Sequence, residues 1–232
     1  MSRRRPNAQR LERERRLPAP MVRRLPVYLR NLETLASLGI TRVASTELAS
    51  RVGVSHDIVR RDLWNLGVQG VRGAGYDVAA LELEITRALG LTQEWPVAII
   101  GLGNLGRALL SYSGFMNKGF RFAAAFDIDP ALVGTIVGGL MVESMSKLRS
   151  IVRADQIAMA VLTTPREAAQ GAAEVAVKAG IRSFLNFAPV LLDVPDTVTV
   201  RQVDLSVELQ VLAYHHVRRQ LSPGTRATAH DA

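Results

Sequence analysis

The stretch that decides the fold reads WPVAIIGLGNLGRALLSYSGFMNKGFRFAAAFD over residues 95–127. An apolar run ends at Ile100 and leads into the glycine loop Gly101-Leu102-Gly103-Asn104-Leu105-Gly106. A helical pattern follows over residues 105–115, and a second apolar run, 121–126, is followed directly by Asp127, 21 residues after Gly106. A bare GxGxxG string recurs by chance. A strand before it, a helix after it and an acid at this distance together indicate a dinucleotide-binding βαβ unit.

Each residue of this pattern has its own task. Gly101 permits the tight turn, Gly103 lets the backbone approach a pyrophosphate, and Gly106 lets the helix pack close to the sheet. The free N–H groups at the start of the helix favour an anion there. We expect Asp127 to accept hydrogen bonds from the adenosine ribose. Because its carboxylate would repel a 2′-phosphate, the sequence favours NAD over NADP. The alternative is a glycine turn that binds no ligand.

The rest of the C-terminal half alternates short apolar runs with helical patterns, which is typical of a mostly parallel sheet with helical crossovers. The predicted strands are 157–162, 181–184 and 198–203, and the predicted helices are 145–152 and 166–179. We therefore predict a Rossmann-type NAD-binding domain over residues 92–204, an amphipathic helix over 205–221 and a disordered tail over 222–232. Ligands of such sheets bind at the carboxyl ends of the strands. The residues predicted there, besides the loop, are Thr164, Pro165, Asn186, Phe187, Ala188 and Pro189.

Residues 21–91 have the pattern of a winged helix-turn-helix. A helix is predicted to begin near Pro26, a short one to follow, and a third to start at the capping residue Ser55 and stop at Gly67. Four glycines within residues 67–76 indicate a hairpin, or wing. A linking helix then covers 78–89. The predicted DNA-contacting residues, on the third helix and at the hairpin tip, are Ser55, His56, Arg60, Arg61, Arg72 and Gly73.

This DNA-binding interpretation has a competitor. Arg60 and Arg61 are equally compatible with an ordinary solvated helix face. Counting Arg60, Arg61 and Arg72 against Asp57 and Asp62, the local net charge is only +1.

The excess of positive charge lies at the N-terminus. The chain has 232 residues, 48% of them hydrophobic, and a net charge of +8. Residues 1–30 contain ten arginines and two glutamates and so account for the whole excess. We interpret residues 1–20 as a disordered basic tail. Either it adds salt-sensitive affinity for DNA phosphates, or it has no role.

Composition excludes several classes of protein and site. The chain has no cysteine, so disulfide frameworks, thiolate metal sites and cysteine nucleophiles are excluded, and we predict no bound metal. No apolar run approaches the roughly 20 residues of a membrane span. No apolar segment follows the N-terminal arginines, as it would in a secretory signal. We therefore expect a cytoplasmic protein with no membrane partner.

The order of the motifs resembles that of the Rex family of redox-sensing transcriptional repressors. The motifs are VRRDL, GVRGAGYDV, GLGNLGRAL, FDIDP, TTPREAAQ, NFAPV and VDLSVEL, and the resemblance runs from about residue 24 to 217. It implies a homodimer with an N-terminal winged helix, a Rossmann domain that binds NADH and NAD+, and a last helix swapped into the partner subunit. It also implies that the protein binds operator DNA when NADH is low and is released by NADH, and that it is not an enzyme.

The resemblance also implies a switch between the two domains. By position, Arg30 resembles the arginine that links the domains, and Asp204 resembles its carboxylate partner. Tyr112 resembles the residue beside the nicotinamide, and it would take over Asp204 when NADH is bound. Without the resemblance, Arg30 could be an ordinary surface arginine, Tyr112 a packed aromatic residue and Asp204 the cap of the final helix.

Three departures from the family pattern bear on ligand recognition. The third helix begins Ser55-His56-Asp57-Ile58, where small or polar residues are usual, and it ends with Trp64 and Asn65 instead of a small residue and a tyrosine. The wing lacks the usual aromatic residue. Leu205 stands where an aromatic residue is common, which puts the strength of the nicotinamide contact in doubt. The first two changes leave the operator sequence open.

Two other functions remain alternatives at this point. One is an NAD-dependent oxidoreductase with a helical N-terminal appendage. It is opposed by the four histidines, which all lie outside the predicted sheet, and by the lack of a segment for a substrate domain. The other is a CoA-binding domain fused to a DNA-binding domain. Asp127 opposes it, because CoA carries a 3′-phosphate in that region.

Overall fold

The computed structural model describes residues 17–221, although nothing is described of the side chains of the last two. Residues 1–16 of the predicted basic tail and the predicted tail 222–232 lie outside this range. The chain divides into two compact units between Gln93 and Glu94. No helix within the described range is long and apolar enough to cross a membrane.

The N-terminal unit consists of four helices and a small sheet. Its elements are α1 (Ala19–Ser37), β1 (Arg42–Val43), α2 (Ser45–Val52), α3 (His56–Asn65), β2 (Tyr76–Asp77) and α4 (Val78–Ala88). β1 and β2 pair antiparallel, and a single bridge between Val71 and Gly75 closes the tip of the wing. α3 starts as predicted, because the Ser55 hydroxyl accepts a hydrogen bond from the N–H of Ile58. The core of the unit packs one face of α1 against α4 and the inner faces of α2 and α3.

The first helix corrects one prediction. It begins at Ala19, seven residues before the expected start, and Pro26 lies inside it. A proline inside a helix removes a backbone hydrogen bond and costs about 3 kcal/mol or more. The preceding turns bury Met21 and Leu25 almost completely, and each buried side chain of this size contributes about 1.5–3 kcal/mol. Burial of the earlier turns therefore offsets the cost of the proline.

The C-terminal unit is an α/β domain with a seven-stranded sheet. Its strands are β3 (Trp95–Ile100), β4 (Phe120–Asp127), β5 (Ile136–Val137), β6 (Leu140–Ser144), β7 (Met159–Leu162), β8 (Ser183–Asn186) and β9 (Thr199–Gln202). Its helices are α5 (Asn104–Leu110), α6 (Leu148–Ala154), α7 (Arg166–Ala179) and α8 (Leu205–Leu221).

The strand order explains where a ligand can bind. It is β5-β6-β4-β3-β7-β8-β9, and only β5 runs antiparallel. The chain leaves β3 toward β4 on one side and later returns to β7 on the other side. The carboxyl ends of β3 and β7 therefore flank the point where the strand order reverses, which is where open α/β sheets bind their ligands.

Two details of this unit differ from the sequence expectation. The helix after the glycine loop ends at Leu110 and not near Phe115, and a turn and a short 3-10 helix, Met116–Lys118, follow it. The hairpin β5–β6 is the second difference. Gly138 and Gly139 are typical of a two-residue hairpin turn, but β5 has only two residues, too few to show the alternation of a strand.

The last helix carries apolar side chains that nothing in the described chain covers. Every described side chain from Leu205 to Arg219 is exposed. The large apolar ones are Leu205, Val207, Leu209, Val211, Leu212, Tyr214 and Val217. A contiguous exposed apolar surface of this kind marks an interaction site.

Candidate dinucleotide pocket and DNA-binding face

A cavity of about 860 Å³ lies at the carboxyl ends of β3 and β7. The backbone of Gly101–Leu105 forms one wall, Asp127–Asp129 forms another, and Thr163–Pro165 forms a third. Phe187 and the N-terminal half of α7 complete it. The predicted loop, the predicted acid and two of the predicted strand-end segments therefore meet in one place.

Asp127 is held by three backbone N–H groups. Its Oδ1 accepts from Ile128 at 2.7 Å and from Asp129 at 2.9 Å. Its Oδ2 accepts from Leu102 at 2.6 Å, which ties the end of β4 to the glycine loop. A carboxylate has about four acceptor positions, so Oδ2 keeps one for a further donor such as a ribose hydroxyl.

The three glycines occupy distinct environments. Gly101 has a φ of +96°, in the region that favours glycine. Gly103 faces open space, because a Cβ built on it meets nothing within 4 Å. Gly106 lies against the carbonyl oxygen of Gly101 and the hydroxyl of Thr163, where a Cβ has no room. Gly103 thus leaves space for a ligand, whereas Gly106 brings α5 close to the sheet, as the pattern predicts.

Two further residues of the pocket bear on its chemistry. The Oγ1 of Thr164 is buried and has no hydrogen-bond partner among residues 17–221, a condition that a polar ligand would relieve. Arg107 lines the cavity and donates through Nε to the carbonyl of Leu102 at 2.8 Å. Sequence reasoning missed Arg107, although it follows the last glycine directly. The open space at Gly103, the free acceptor on Asp127 and the unpartnered Thr164 hydroxyl fit a phosphate-bearing dinucleotide.

Besides Gly106, which packs against the sheet, four predicted cofactor residues do not line this cavity. Asn186 is fully buried and uses its side chain to hold the turn that follows β8, donating to Val190 and Gln202 and accepting from the N–H of Ala188. Ala188 and Pro189 belong to the same turn, so only Phe187 of this segment reaches the cavity. Tyr112 does not line it either.

The ring of Tyr112 packs against residues that follow it in the chain. Its side chain is exposed, and its ring meets Phe115 edge-on at a centroid distance of 5.4 Å. A Cβ on Gly114 would overlap the outer atoms of this ring. Glycine at position 114 therefore lets the ring of Tyr112 lie flat against the chain.

The other two predicted switch residues belong to different units. Arg30 is exposed on α1. Asp204 precedes α8, and its Oδ1 accepts from the hydroxyl of Ser206 at 2.6 Å and from the N–H of Ser206 at 2.9 Å. These two hydrogen bonds lower the pKa of Asp204. Asp204 thus has the capping role that the sequence left open.

The outward face of α3 presents the predicted DNA-contacting residues. Ser55, His56, Arg60 and Arg61 are all exposed. Trp64 lies three and four residues after the two arginines, on the same face, and is 68% exposed. Arg72 and Gly73 are exposed at the tip of the wing, where Gly73 has a φ of +80°.

The structure changes the charge of this surface. Asp62 was counted against it, but its side chain points inward, is only 2% exposed and pairs with Arg24. Arg42, which the sequence did not single out, adds a positive charge. It donates to the carbonyls of Ala74 and Gly75 at 2.7 and 3.1 Å and so fixes the wing.

Arg42, Arg60 and Arg72 line one cavity of about 490 Å³ between the wing and α2. Without Asp62, the arginines at 60, 61 and 72 count only against Asp57, which gives a net charge of +2 and not +1. Arg42 leaves this value unchanged, because the exposed Asp77 lies opposite it in the β1–β2 pair. The local charge is therefore stronger than the sequence alone indicated.

Comparison with named proteins identifies the family to which the chain belongs. The redox-sensing transcriptional repressor Rex of Streptomyces griseus subsp. griseus is 49% identical over 207 residues, which cover 89% of this chain and 82% of the relative. The chain belongs to the Rex family. Two domain families also match, one described as a putative DNA-binding protein N-terminus over residues 16–63 and one as a CoA binding domain over residues 92–190.

Solved structures of a Rex-family repressor, RSP, have the same fold. RSP with β-NAD+ and operator DNA matches with a TM-score of 0.83 at 35% identity, covering 89% of this chain and 95% of RSP. RSP with β-NADH matches with a TM-score of 0.80 at 34% identity, covering 88% and 96%. These likenesses confirm the predicted fold class, an N-terminal DNA-binding domain followed by a Rossmann-like parallel-sheet domain.

The family also decides between the functional classes. Its members are named as transcriptional repressors, so the oxidoreductase interpretation is set aside. Within residues 17–221 no cluster of three metal-ligating side chains is found.

Proposed function

We propose that this protein is a repressor that binds operator DNA while NADH is scarce and leaves it when NADH accumulates. One observation carries the proposal. The chain combines the arginine-bearing face of a winged helix with a dinucleotide-sized cavity, and RSP, with the same two-part fold, is known both with β-NAD+ on operator DNA and with β-NADH.

Different residues of the pocket bind different parts of the dinucleotide. The open backbone at Gly103 and the N-terminus of α5 accept the pyrophosphate. The free acceptor on Asp127 Oδ2 takes a ribose hydroxyl, and Thr164 donates its unpartnered hydroxyl. Thr164, Pro165 and Phe187 extend the site beyond the loop. When bound, NAD+ and NADH differ by the charge on the nicotinamide ring, so discrimination has to occur near that ring.

Three residues outside the pocket form the switch that we propose. Arg30 pairs with Asp204 in the DNA-binding state, and Tyr112 takes over Asp204 in the NADH state. The support is chemical. Arg30 has no side-chain partner among residues 17–221, and the pKa of Asp204 is lowered by hydrogen bonds from Ser206, so its carboxylate keeps its negative charge. A charge-assisted pair of this kind can bias a two-state arrangement.

The functional unit in this proposal is a homodimer in the cytoplasm. A second copy covers the apolar side chains of α8, and the swapped arrangement of the family would seat this helix on the partner. Two winged helices then read two half-sites about one helical turn apart. Asn186, Ala188 and Pro189 shape the turn that Phe187 needs and do not themselves touch the dinucleotide.

Selection from random DNA provides the operator for the test. The full-length protein selects duplexes from a random pool, and fluorescence anisotropy then follows the selected duplex while NADH or NAD+ is added. We expect NADH to release the duplex and NAD+ to leave it bound. A ligand shifts such an equilibrium only by its difference in affinity for the two states. Equal release by both dinucleotides would refute the sensor.

A further inference from the structure

A partly buried ionic cluster joins α1 to the inner face of α3: its carboxylate is buried, whereas the side chain of Arg24 stays 25% exposed. Asp62 of α3 is 2% exposed, and Tyr28 of α1 is fully buried. Among the described residues of the N-terminal unit, Asp62 is the only charged side chain classed as buried. It lies 38 residues after its partner Arg24, so no local pattern in the sequence predicts the contact.

The hydrogen bonds of this cluster fix an orientation as well as a distance. Arg24 donates through Nε to Oδ2 at 2.6 Å and through Nη2 to Oδ1 at 2.8 Å. Tyr28 donates its hydroxyl to Oδ2 at 2.8 Å. The planar guanidinium and the planar carboxylate meet as a two-pronged fork. Burial and the hydrogen bond to Asp62 both raise the pKa of Tyr28, so its hydroxyl remains a donor.

Stability alone is a weak explanation for such a cluster. A buried ion pair must offset the loss of hydration of both charges, and apolar replacements of similar volume are often as stable or more so. Next to Asp62, Val59 and Leu63 already bury the apolar side of α3. Apolar contacts tolerate small rotations and shifts that a two-pronged ionic contact does not.

The position of Asp62 relates it to the outward face of α3. Successive helical residues are about 100° apart, so Arg60 and Trp64 each point about 200° away from Asp62, on the opposite side of the helix. Arg61 is its direct neighbour. The hydrogen bonds between Arg24 and Asp62 therefore set the rotation of α3 about its own axis. This rotation decides the direction in which Arg60 and Arg61 point.

We propose that Asp62 is a positioning residue for operator recognition, held by Arg24 and Tyr28. It fixes the rotation of α3 relative to α1 and keeps its own negative charge away from DNA. Because α1 also carries Arg30, a displacement of α1 reaches the recognition helix through this fork. The inference rests on the proposed DNA-binding function. It adds an explanation of how the outward face of α3 is oriented toward DNA.

The proposal and a simple charge argument predict opposite results. If Asp62 acted only as a negative charge near DNA, Asp62→Asn would strengthen binding to every duplex. As a positioning residue, Asp62→Asn should weaken binding to the selected operator roughly tenfold, the size of one lost base contact. Binding to an unrelated duplex should stay constant or rise slightly, because phosphate contacts carry it. NADH affinity should not change.

The matched control is Asp57→Asn, the same chemical change on the exposed side of α3. It should raise affinity for operator and unrelated duplexes alike. Tyr28→Phe, which removes one of the three hydrogen bonds, should give a smaller loss of operator affinity than Asp62→Asn. A rise in operator affinity for Asp62→Asn, parallel to that for Asp57→Asn, would overturn the proposal.

A second variant separates positioning from folding. The triple replacement Arg24→Met, Tyr28→Phe and Asp62→Val removes all polar groups of the cluster with little net change in volume, because valine is only slightly larger than aspartate and methionine slightly smaller than arginine. We expect it to melt no lower than the wild type and yet to lose most of its preference for operator over unrelated DNA. A well-folded triple variant with full preference would rule out positioning. If wild-type protein selects no sequence at all, the proposed function fails first, and the two failures are thus distinct.

Discussion

The Oδ2 atom of Asp127 accepts a hydrogen bond of 2.6 Å from the backbone N–H of Leu102, which links the last residue of β4 to the glycine loop after β3. The carboxylate therefore has two tasks. It holds the loop in place, and it offers its remaining acceptor position to a ligand.

The first prediction concerns this carboxylate. Asp127→Ala removes the ribose acceptor and the anchor of Leu102, so NADH and NAD+ should bind about 10- to 100-fold more weakly, the loss expected from one or two hydrogen bonds to a charged group. Isothermal titration calorimetry measures this. DNA affinity without dinucleotide should not change. A loss of both activities would instead mean that Asp127 chiefly maintains the fold.

The glycine loop offers a matched pair of variants. Gly103→Ala adds a methyl group to open space, so the melting temperature should stay constant while dinucleotide affinity falls. Gly106→Ala forces a methyl group against the carbonyl of Gly101, so it should destabilise the protein by about 1–3 kcal/mol. Thermal unfolding and NADH titration of both variants test this. Equal melting temperatures would contradict the close approach seen at Gly106.

The position of the Tyr112 ring can be changed by a substitution at a neighbouring residue while the tyrosine itself is kept. Because a Cβ at position 114 overlaps the movable end of the ring, Gly114→Ala should displace Tyr112 at little cost in stability. If Tyr112 takes part in the switch, Gly114→Ala and Tyr112→Phe should both raise the NADH concentration needed to release DNA, by several-fold. Anisotropy titrations compare them with the wild type. Unchanged release in both variants would remove Tyr112 from the switch.

Arg30 is expected to act on DNA binding and not on the dinucleotide. Arg30→Ala should weaken operator binding in the absence of NADH, because the proposed pair with Asp204 cannot form, and NADH affinity should change little. Arg23→Ala, which removes an exposed arginine from the same helix, is the control for loss of bulk charge. An effect of the same size in both variants would exclude a specific role for Arg30.

The apolar face of α8 predicts the oligomeric state. Leu209 and Leu212 are 67% and 63% exposed, and a glutamate at both positions should convert the dimer to monomers and abolish binding to a two-half-site duplex. Gln210→Glu places one new charge on the same helix and serves as the control. Sedimentation velocity gives the answer. A dimer that survives the double substitution would place the interface elsewhere.

Much of the fold was predictable because the deciding signals are local. The glycine loop, the acid after the next strand and the Ser55 cap depend on a few neighbouring residues, and α7 has the bounds that its apolar spacing predicts. Pro26 led to the wrong predicted start of α1, because the energetic cost of a proline inside a helix is visible in the local sequence. The burial of Met21, which offsets this cost, depends on the folded core.

The parts of the site that were missed depend on distant contacts. The sequence shows Asp62 directly after Arg60 and Arg61, and only the fold reveals that it turns inward to Arg24. Arg42 likewise becomes part of the DNA-binding face only because β1 pairs with β2 and brings it to the wing. Asn186 lies at the end of a strand, as ligand residues do, but its hydrogen bonds all go to its own turn and to the neighbouring Gln202.

The contact of Asp62 with Arg24 anchors α3 on its inner side, whereas the residues proposed to contact DNA lie on its outer side. Residues on the outer face can change without disturbing the anchor, so the operator preferred by a lineage can drift while the domain keeps its shape. His56 and Trp64, two of the unusual residues of this helix, are changes of that kind. The same separation makes the helix a natural scaffold for engineering: libraries at its outer positions should yield repressors with new, mutually independent operators that still obey the same redox signal.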